Sequence, residues 1–324
     1  MNKLGLILNP SAKINKKYSA NILERFKDVF GGSALVTSTS GKSEIPIVLK
    51  EFQNAGVKIL LISGGDGTIC EVLTSYINQF GEEALPVIVP LMGGTINMIG
   101  ADSGLRKDQL QLSKKLYELM SKNEPIPVTK RGLIRVSDQR LSEPNYGFSW
   151  IDSLLYRILL DYYSQGAGVQ VASMMTLKMI LNSLSNADDS EFKDIDSTVY
   201  IDGEKLPYDD HLLIIASSLK KFVFGFDIFN EQCEPGKTFN IVYMRAEYLK
   251  KERLKIPLGL YRSIKSDPSG NFINQSVKTL LVKKNRGYII DGEIYDHGEE
   301  TEVMLEAGPE ISIFSPGGER EVEI

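Results

Sequence analysis

Two glycine-rich turns dominate the chemistry that this sequence could perform. Each follows an apolar run that predicts a buried strand, and the turns read Gly64-Gly65-Asp66-Gly67-Thr68 and Gly93-Gly94-Thr95-Ile96-Asn97. Glycine lets phosphate oxygens approach backbone N–H groups, and the start of a helix favours an anion. Neighbouring parallel strands end at one sheet edge, where α/β sheets bind their ligands. The pair of turns therefore predicts a phosphate-binding site.

Asp66 is unexpected in a site that binds only anions, because a carboxylate repels phosphate unless a cation or a proton lies between them. Mg²⁺ is the cation that bridges carboxylates, waters and phosphates in phosphoryl transfer. The sequence therefore predicts Mg²⁺ and phosphoryl transfer, with Asp66 reaching the metal through water. Thr68 could cap the following helix or touch the phosphate.

Four motifs, in their order and spread, resemble the diacylglycerol kinase catalytic-domain family, which includes bacterial diacylglycerol kinases and sphingosine kinases. The motifs are Asn9-Pro10-Ser11-Ala12-Lys13, Gly64-Gly65-Asp66-Gly67-Thr68, Gly94-Thr95-Ile96-Asn97-Met98-Ile99-Gly100 and Asp291-Gly292-Glu293. The resemblance implies an ATP-dependent lipid kinase. Lys13 replaces a glycine of the family, Met98 its usual Asp and Gly100 its usual Ala, and these departures bear on the substrate more than on kinase chemistry.

The resemblance also assigns roles to single residues. Asp291 is expected to act as the general base, Asp66 as a catalytic carboxylate, and Glu293 to face the nucleotide or its metal. The expected nucleotide-binding set is Asn9, Pro10, Ser11, Thr37, Gly64, Gly65, Asp66, Gly67, Thr68, Glu71, Gly94, Thr95, Asn97 and Glu293. The family's structural magnesium site would fall at Glu234-Pro235-Gly236, where proline supplies no carboxylate, so we expect that site to be absent.

Some of these residues also have simpler interpretations. Asp-Gly is a strong hairpin signal, and the chain contains Ile-Asp-Gly-Glu twice, at 201–204 and at 290–293. Only the resemblance makes Asp291 catalytic and leaves Asp202 as a turn. Asp152 lies near the position where sphingosine kinases bind the substrate amine, but a helix N-cap explains it equally well. His211 and His297 look isolated.

Two apolar clusters and two basic segments have no assigned role in this scheme. The clusters are Phe222, Phe224 and Phe226, and Met174, Met175 and Met179. Each either packs in the core or lines an acyl-chain pocket. The segments Lys220-Lys221 and Lys250-Lys251-Glu252-Arg253 are either solvated or attracted to an anionic membrane surface.

The pattern along the 324 residues predicts two domains. Residues 1–124 alternate strands and helices and predict a doubly wound α/β nucleotide-binding domain, to which a strand near 310–324 could return. Residues 125–309 predict a β-rich, sandwich-like lipid-binding domain. Within it, helices are expected around Ile151 to Ser185 and Ala246 to Leu260.

Composition sets the remaining expectations. The net charge of -5 argues against nucleic-acid binding, and two cysteines fit a reducing cytoplasm. No apolar run has the ~20 residues that span a bilayer, and we expect no export signal. We expect peripheral membrane contact and leave a homodimer open. The rival functions are a soluble NAD-kinase-type nucleotide kinase and a non-catalytic lipid or nucleotide sensor.

Overall fold

The computed structural model describes residues 4–18, 21–83, 85–94, 97–105, 108–157, 160, 193–220, 228–252 and 266–323. The phenylalanine and methionine clusters, Lys221, Arg253 and Thr95 lie outside these ranges. The chain divides into two compact units. The first includes Met1–Leu133 and Pro309–Ile324, and the second takes most of the chain between them.

The first unit is built on a parallel sheet. Its strands are β1 (Leu4–Leu8), β2 (Ala34–Ser38), β3 (Ile59–Gly64) and β4 (Val87–Met92). The order is β4-β3-β1-β2, and next to β4 lies the end of a long strand, β16 (Glu293–Phe314), whose Ile313 pairs in parallel with Ile88. The carboxyl-terminal segment thus extends the sheet of the first unit.

Helices cover both faces of this sheet. They are α1 (Lys13–Tyr18), α2 (Ile22–Phe30), α3 (Ile45–Asn54), α4 (Asp66–Phe80), α5 (Met98–Asp102) and α6 (Gln109–Ser121). Phe26 of α2 and Leu116 of α6 share a buried cluster with Leu61 of β3. On the other face, Phe52 of α3 comes within 2.5 Å of where a Cβ on Gly5 would lie. The doubly wound α/β fold is therefore confirmed, and burial of each large apolar side chain stabilises it by roughly 1.5–3 kcal/mol.

The second unit is rich in antiparallel strands, as predicted. Its strands are β6 (Asn145–Gly147), β7 (Ser149–Ser153), β8 (Ile195–Asp196), β9 (Thr198–Ile201), β10 (Glu204–Lys205), β11 (Asp210–His211), β12 (Leu213–Ser217), β13 (Phe239–Met244), β14 (Phe272–Val277) and β15 (Thr279–Ile290). The boundary between the units falls within β5 (Ile126–Asp138), which pairs with β17 (Arg320–Val322). The order of the main sheet is β14-β13-β12-β7-β15-β16. β15 pairs with β9 along its first part and with β7 along its last part.

One predicted helix begins too early. Ile151 lies in β7, where it pairs with Ile215 on one side and Ile289 on the other. Every residue of β7 is buried, so the strand lacks the alternation of apolar and polar residues that reveals a half-exposed strand. The second predicted helix is present as α7 (Ala246–Glu252). Among the described residues, no helix is long and apolar enough to cross a membrane.

Candidate functional site

The structure brings the two glycine turns together at the carboxyl edge of the parallel sheet. Gly64 of β3 pairs with Met92 of β4, and Gly93 N donates to Gly64 O at 2.8 Å. A Cβ on Gly94 would lie 2.6 Å from the Cα of Gly65, so the backbones touch and exclude a side chain. We call the described residues of both turns the phosphate cradle: Gly64, Gly65, Asp66, Gly67, Thr68, Gly93, Gly94 and Asn97.

Gly94→Ala should disable the phosphate cradle, because its methyl group would force two backbone segments apart. We expect nucleotide affinity to fall by at least ~10-fold, consistent with the rate losses that small misplacements in a site cause. Gly41→Ala is the control, because a methyl group there would meet nothing within 4 Å and the φ of Gly41 is not positive. Calorimetric ATP titration of both variants tests this, and equal affinities would contradict it.

The glycine neighbours of Asp66 suggested that it lies on a loop, but Asp66 is the first residue of α4. Its buried carboxylate accepts hydrogen bonds from Met98 N at 2.9 Å and Ile99 N at 3.2 Å, the first amides of α5. Burial raises the pKa of Asp66 to about 6, although bonds from the backbone of Met98, Ile99 and Asn97 oppose that shift. Asp66 therefore joins the starts of α4 and α5 and fixes one glycine turn against the other.

Asn97 closes the second turn on itself. Its Oδ1 accepts from Gly94 N at 2.9 Å and its Nδ2 donates to Gly94 O at 2.8 Å. The residue has a φ of 54°, a left-handed conformation that asparagine tolerates better than most residues. Both ends of the amide thus shape the turn. Thr95 lies outside the described residues.

Asn9, which follows β1, links three parts of the site. Its backbone N donates to Ser63 O at 2.9 Å, and its Nδ2 donates to Thr68 Oγ1 at 2.9 Å. Its Oδ1 accepts from Ser11 N at 2.9 Å, which closes the turn through Pro10. Because Thr68 Oγ1 accepts from Asn9, its own hydrogen can point to a ligand. Exposed Lys13 begins α1 beside this loop.

Thr37 and Glu71 lie on the elements that flank the phosphate cradle. Thr37 is near the carboxyl end of β2, paired with Ile7 of β1. Glu71 of α4 forms an ion pair with Lys42 Nζ at 2.9 Å. The Lys42 side chain is 63% exposed, so the pair contributes at most about 1 kcal/mol to folding. Lys42 was not among the residues predicted from the sequence to bind the nucleotide. Its ammonium group lies next to Glu71, which was.

Asp291 occupies a hairpin turn in the second unit. Asp291 and Gly292 join β15 to β16 with φ values of 46° and 90°, as in a two-residue turn. The Asp291 carboxylate accepts from Phe148 N, Ser149 N and Ser149 Oγ, each at 2.8 Å, and is buried. Three donated bonds engage both oxygens and fix the carboxylate in this position.

Asp202 forms the same kind of turn, as the shared Asp-Gly signal predicts. Asp202 and Gly203 have φ values of 49° and 84° and join β9 to β10. Asp202 Oδ1 accepts from Lys278 N and Thr279 N, both at 2.8 Å. The two copies differ in exposure, since Asp291 is buried and Asp202 is exposed. The predicted role of Asp291 as general base stays a prediction, and nearby Glu293 is exposed to solvent.

Asp152 and His211 lie in one buried cluster, so the prediction that His211 is isolated is wrong. His211 Nε2 is 3.1 Å from Asp152 Oδ2 and 2.5 Å from Ser153 Oγ, while His211 Nδ1 contacts Ser197 Oγ. These four side chains are at least 98% buried. Asp152 lies in β7, and helical residues begin two positions later at Leu154. Its predicted contact with a substrate amine stays a prediction.

Metal binding by protein groups alone has little support in the described part of the chain. Within those residues no group of three or more His, Cys, Asp or Glu side chains could hold an ion. Pro235 leaves the segment Glu234-Pro235-Gly236 with a single carboxylate, and that carboxylate pairs with Lys237 at 2.9 Å. Mg²⁺ at the phosphate cradle would need phosphate oxygens and waters as its main ligands.

Comparison with known proteins identifies the part of the chain that carries the phosphate cradle. Residues 3–129 match the family model of the diacylglycerol kinase catalytic domain. These residues form a domain of that family. No curated protein sequence matches the chain significantly.

Solved structures resemble the chain over nearly its whole length. Two from Bacillus anthracis str. Sterne, described as proposed diacylglycerol kinases, are each 17% identical, with TM-scores of 0.68 and 0.64. They cover 97% of this chain, which in turn covers 96% and 97% of theirs. A third from the same organism, described as a diacylglycerol kinase, is 16% identical with a TM-score of 0.60 and covers 97% of both chains. At these identities the likeness shows the fold, and the catalytic-domain match concerns residues 3–129.

Proposed function

We propose that this protein transfers the γ-phosphoryl group of ATP, with Mg²⁺, to a hydroxyl of a membrane lipid such as diacylglycerol or a sphingoid base. The observation that carries the proposal is the contact between two glycine turns within a diacylglycerol kinase catalytic domain. Their backbones approach so closely that a side chain on Gly94 is excluded, and the first turn leads directly into α4, whose first amides can bind phosphate.

The phosphate cradle supplies the binding groups for the nucleotide. The amides of Asp66, Gly67 and Thr68 begin α4, a helix of 15 residues, and the first amides of a helix have no intrahelical acceptor. We assign them, with the Thr68 hydroxyl, to the ATP phosphates. Mg²⁺ when bound would neutralise charge on the transferring phosphoryl group. Asp66 uses one acceptor position on each oxygen for α5 and keeps one on each, through which it would hold a water of the ion.

The lipid hydroxyl must lose its proton as the phosphoryl group is transferred, and the hairpin between β15 and β16 carries two carboxylates. Asp291 accepts three hydrogen bonds from Phe148 and Ser149, which engage both of its oxygens and hold it in the hairpin. Glu293, two residues later, is exposed. We therefore propose that Asp291 fixes the hairpin and that Glu293 accepts the proton, which revises the assignment made from the sequence.

We further propose that the protein acts in lipid metabolism, such as phospholipid biosynthesis, as a peripheral protein at the cytoplasmic side of a membrane. Lys250 and Lys251 end α7 and are exposed, so they could approach an anionic surface. Cys70 and Cys233 are not joined in a disulfide, which is compatible with a reducing compartment.

A lipid-panel assay tests the proposal. The protein is incubated with Mg²⁺, ATP and vesicles that contain diacylglycerol, sphingosine or ceramide, and mass spectrometry identifies the products. We expect Mg²⁺-dependent phosphorylation of at least one lipid, faster on anionic than on neutral vesicles and slower at high salt. Phosphorylation of NAD instead would support the soluble nucleotide kinase. ATP binding without turnover on any acceptor would support the sensor.

A further inference from the structure

Three buried polar side chains, Asn15, Ser63 and Gln109, form a closed ring of hydrogen bonds next to the phosphate cradle. Ser63 Oγ donates to Gln109 Oε1 at 2.7 Å, and Gln109 Nε2 donates to Asn15 Oδ1 at 3.2 Å. Asn15 Nδ2 completes the ring by donating to Ser63 Oγ at 3.0 Å. Ser63 Oγ also lies 3.2 Å from Asn15 Oδ1, so its one hydrogen can go to either amide oxygen. Each side chain bonds to the other two, and such connected bonds strengthen one another.

The ring is connected to the loop that follows β1. The second Asn15 amide hydrogen goes to Asn9 O, at an Nδ2–O distance of 2.7 Å. Asn9 N in turn donates to Ser63 O at 2.9 Å, and Ser63 directly precedes the first glycine turn. Asn15 thus connects the ring to Asn9, whose side chain reaches Thr68.

Helix α1, which contains Asn15, also reaches the second glycine turn. Ile14 N, one residue before Asn15, donates to Gly93 O at 3.1 Å, and Gly93 N donates to Gly64 O at 2.8 Å. The first turn of α1 therefore contacts Gly93 of the second glycine turn and Ser63, the residue before the first, and Gln109 anchors it from the start of α6. A shift of Asn15 would disturb the contacts of both Ser63 and Asn9.

Burial makes this arrangement costly unless it serves a purpose beyond packing. The exposed fractions of Asn15, Ser63 and Gln109 are 2%, 0% and 5%. Buried polar groups lose their water, and an intramolecular hydrogen bond returns only about 1 kcal/mol net. The rest of β3 is filled by apolar residues, Ile59–Ile62. A ring of buried polar side chains at the end of β3, next to the cradle, therefore indicates that the position of the backbone is constrained there.

We propose that Asn15 is a positioning residue for nucleotide binding, with Ser63 and Gln109 as its supports. Asn15 does not touch the nucleotide. It fixes Asn9, the first glycine turn and the start of α1, so that the cradle amides are in place before ATP arrives and less ordering is needed on binding. This inference rests on the proposed ATP-dependent reaction.

The test compares Asn15→Ala and Gln109→Met with the control Ser113→Ala. Ser113 is equally buried and belongs to α6, but its hydroxyl donates to Gln109 O at 2.8 Å and to no cradle group. Each full-length variant is titrated with MgATP by calorimetry at a temperature where circular dichroism shows it folded. We expect Asn15→Ala to raise the Kd for MgATP by roughly 10-fold. Gln109→Met should raise it by roughly threefold, and Ser113→Ala should leave it unchanged.

Kinetics separate positioning from a general loss of folding. We expect Asn15→Ala to raise KM for ATP as much as Kd, with kcat and KM for the lipid within about threefold of wild type. If Asn15→Ala does not fold, Gln109→Met carries the test, because it keeps the Asn15 bond to Asn9. Wild-type affinity in both ring variants, or an equal loss in Ser113→Ala, would overturn the positioning role alone. A wild-type protein that does not bind MgATP would overturn the proposed function as well.

Discussion

Replacing Asp66 with asparagine should lower phosphoryl-transfer turnover by roughly 100-fold or more. An asparagine has one acceptor oxygen, so its NH₂ group would face either Met98 N or Ile99 N, both of which now donate to the carboxylate. The start of α5 would lose a bond, and the glycine turns would lose their register. The negative charge that reaches Mg²⁺ through water would be lost too. Turnover is measured with the best lipid acceptor from the panel.

Stability should change as well, since a buried N–H without an acceptor costs about 1–3 kcal/mol. Asp108→Asn is the control, because Asp108 caps α6 by accepting from Gln111 N, and asparagine caps helices equally well. Full turnover in Asp66→Asn would remove this carboxylate from the mechanism. Turnover that falls only in proportion to the folded fraction would limit its role to structure.

The pH dependence of stability gives an independent measure of the same carboxylate. Because burial raises the Asp66 pKa from 3.8 to about 6, the folded protein holds a proton there that the unfolded chain releases. The stability from this group is full below about 4 and is lost as pH rises through 6. Metal-free Asp66→Asn should lack this part of the pH dependence.

The hairpin carboxylates should separate stability from chemistry. Asp291→Asn should lower both the melting temperature and turnover, because its Nδ2 would face a backbone N–H of Phe148 or Ser149. Asp202→Asn should change neither, because a single oxygen of Asp202 accepts both of its backbone bonds and asparagine keeps that oxygen. Asn also suits both turns.

Glu293→Gln completes the comparison. We expect it to keep the wild-type melting temperature and to lower kcat by roughly 100-fold, the usual contribution of a positioned base. Melting curves and lipid turnover are measured on all three variants. Asp291→Asn with full stability and the largest loss of turnover would restore Asp291 as the base. Full turnover in Glu293→Gln would remove Glu293 from that role.

The fold of the first unit could be read from the sequence because its determinants are local. Apolar runs specify β1, β3 and β4, and the small or polar residues after β3 and β4 indicate a close backbone approach at the strand ends. The carboxyl ends of adjacent parallel strands must lie side by side. The contact between Gly64 and Gly93 followed from that rule.

The fold of the second unit was harder to predict from the sequence, because it depends on pairing between strands that are far apart in the chain. β7 is buried on every residue and looks like a helix start when read alone, but it is a strand because β12 and β15 pair with it from both sides. Likewise, Asp202 and Asp291 share Ile, Gly and Glu as neighbours. Only the residues packed against each turn make one buried and the other exposed.

The partners of the polar side chains were decided by tertiary structure alone. Asp66 accepts from residues 32 and 33 positions away, and Asn15 bonds to Gln109 across 94 positions. A sequence shows that a carboxylate or an amide is present and which strand it follows. It does not show which backbone amide will meet it, because that depends on how separate elements pack once their apolar faces are buried. The sequence by itself therefore determined the glycine turns and their chemistry, and the packing of α1, α5 and α6 decided what holds them in place.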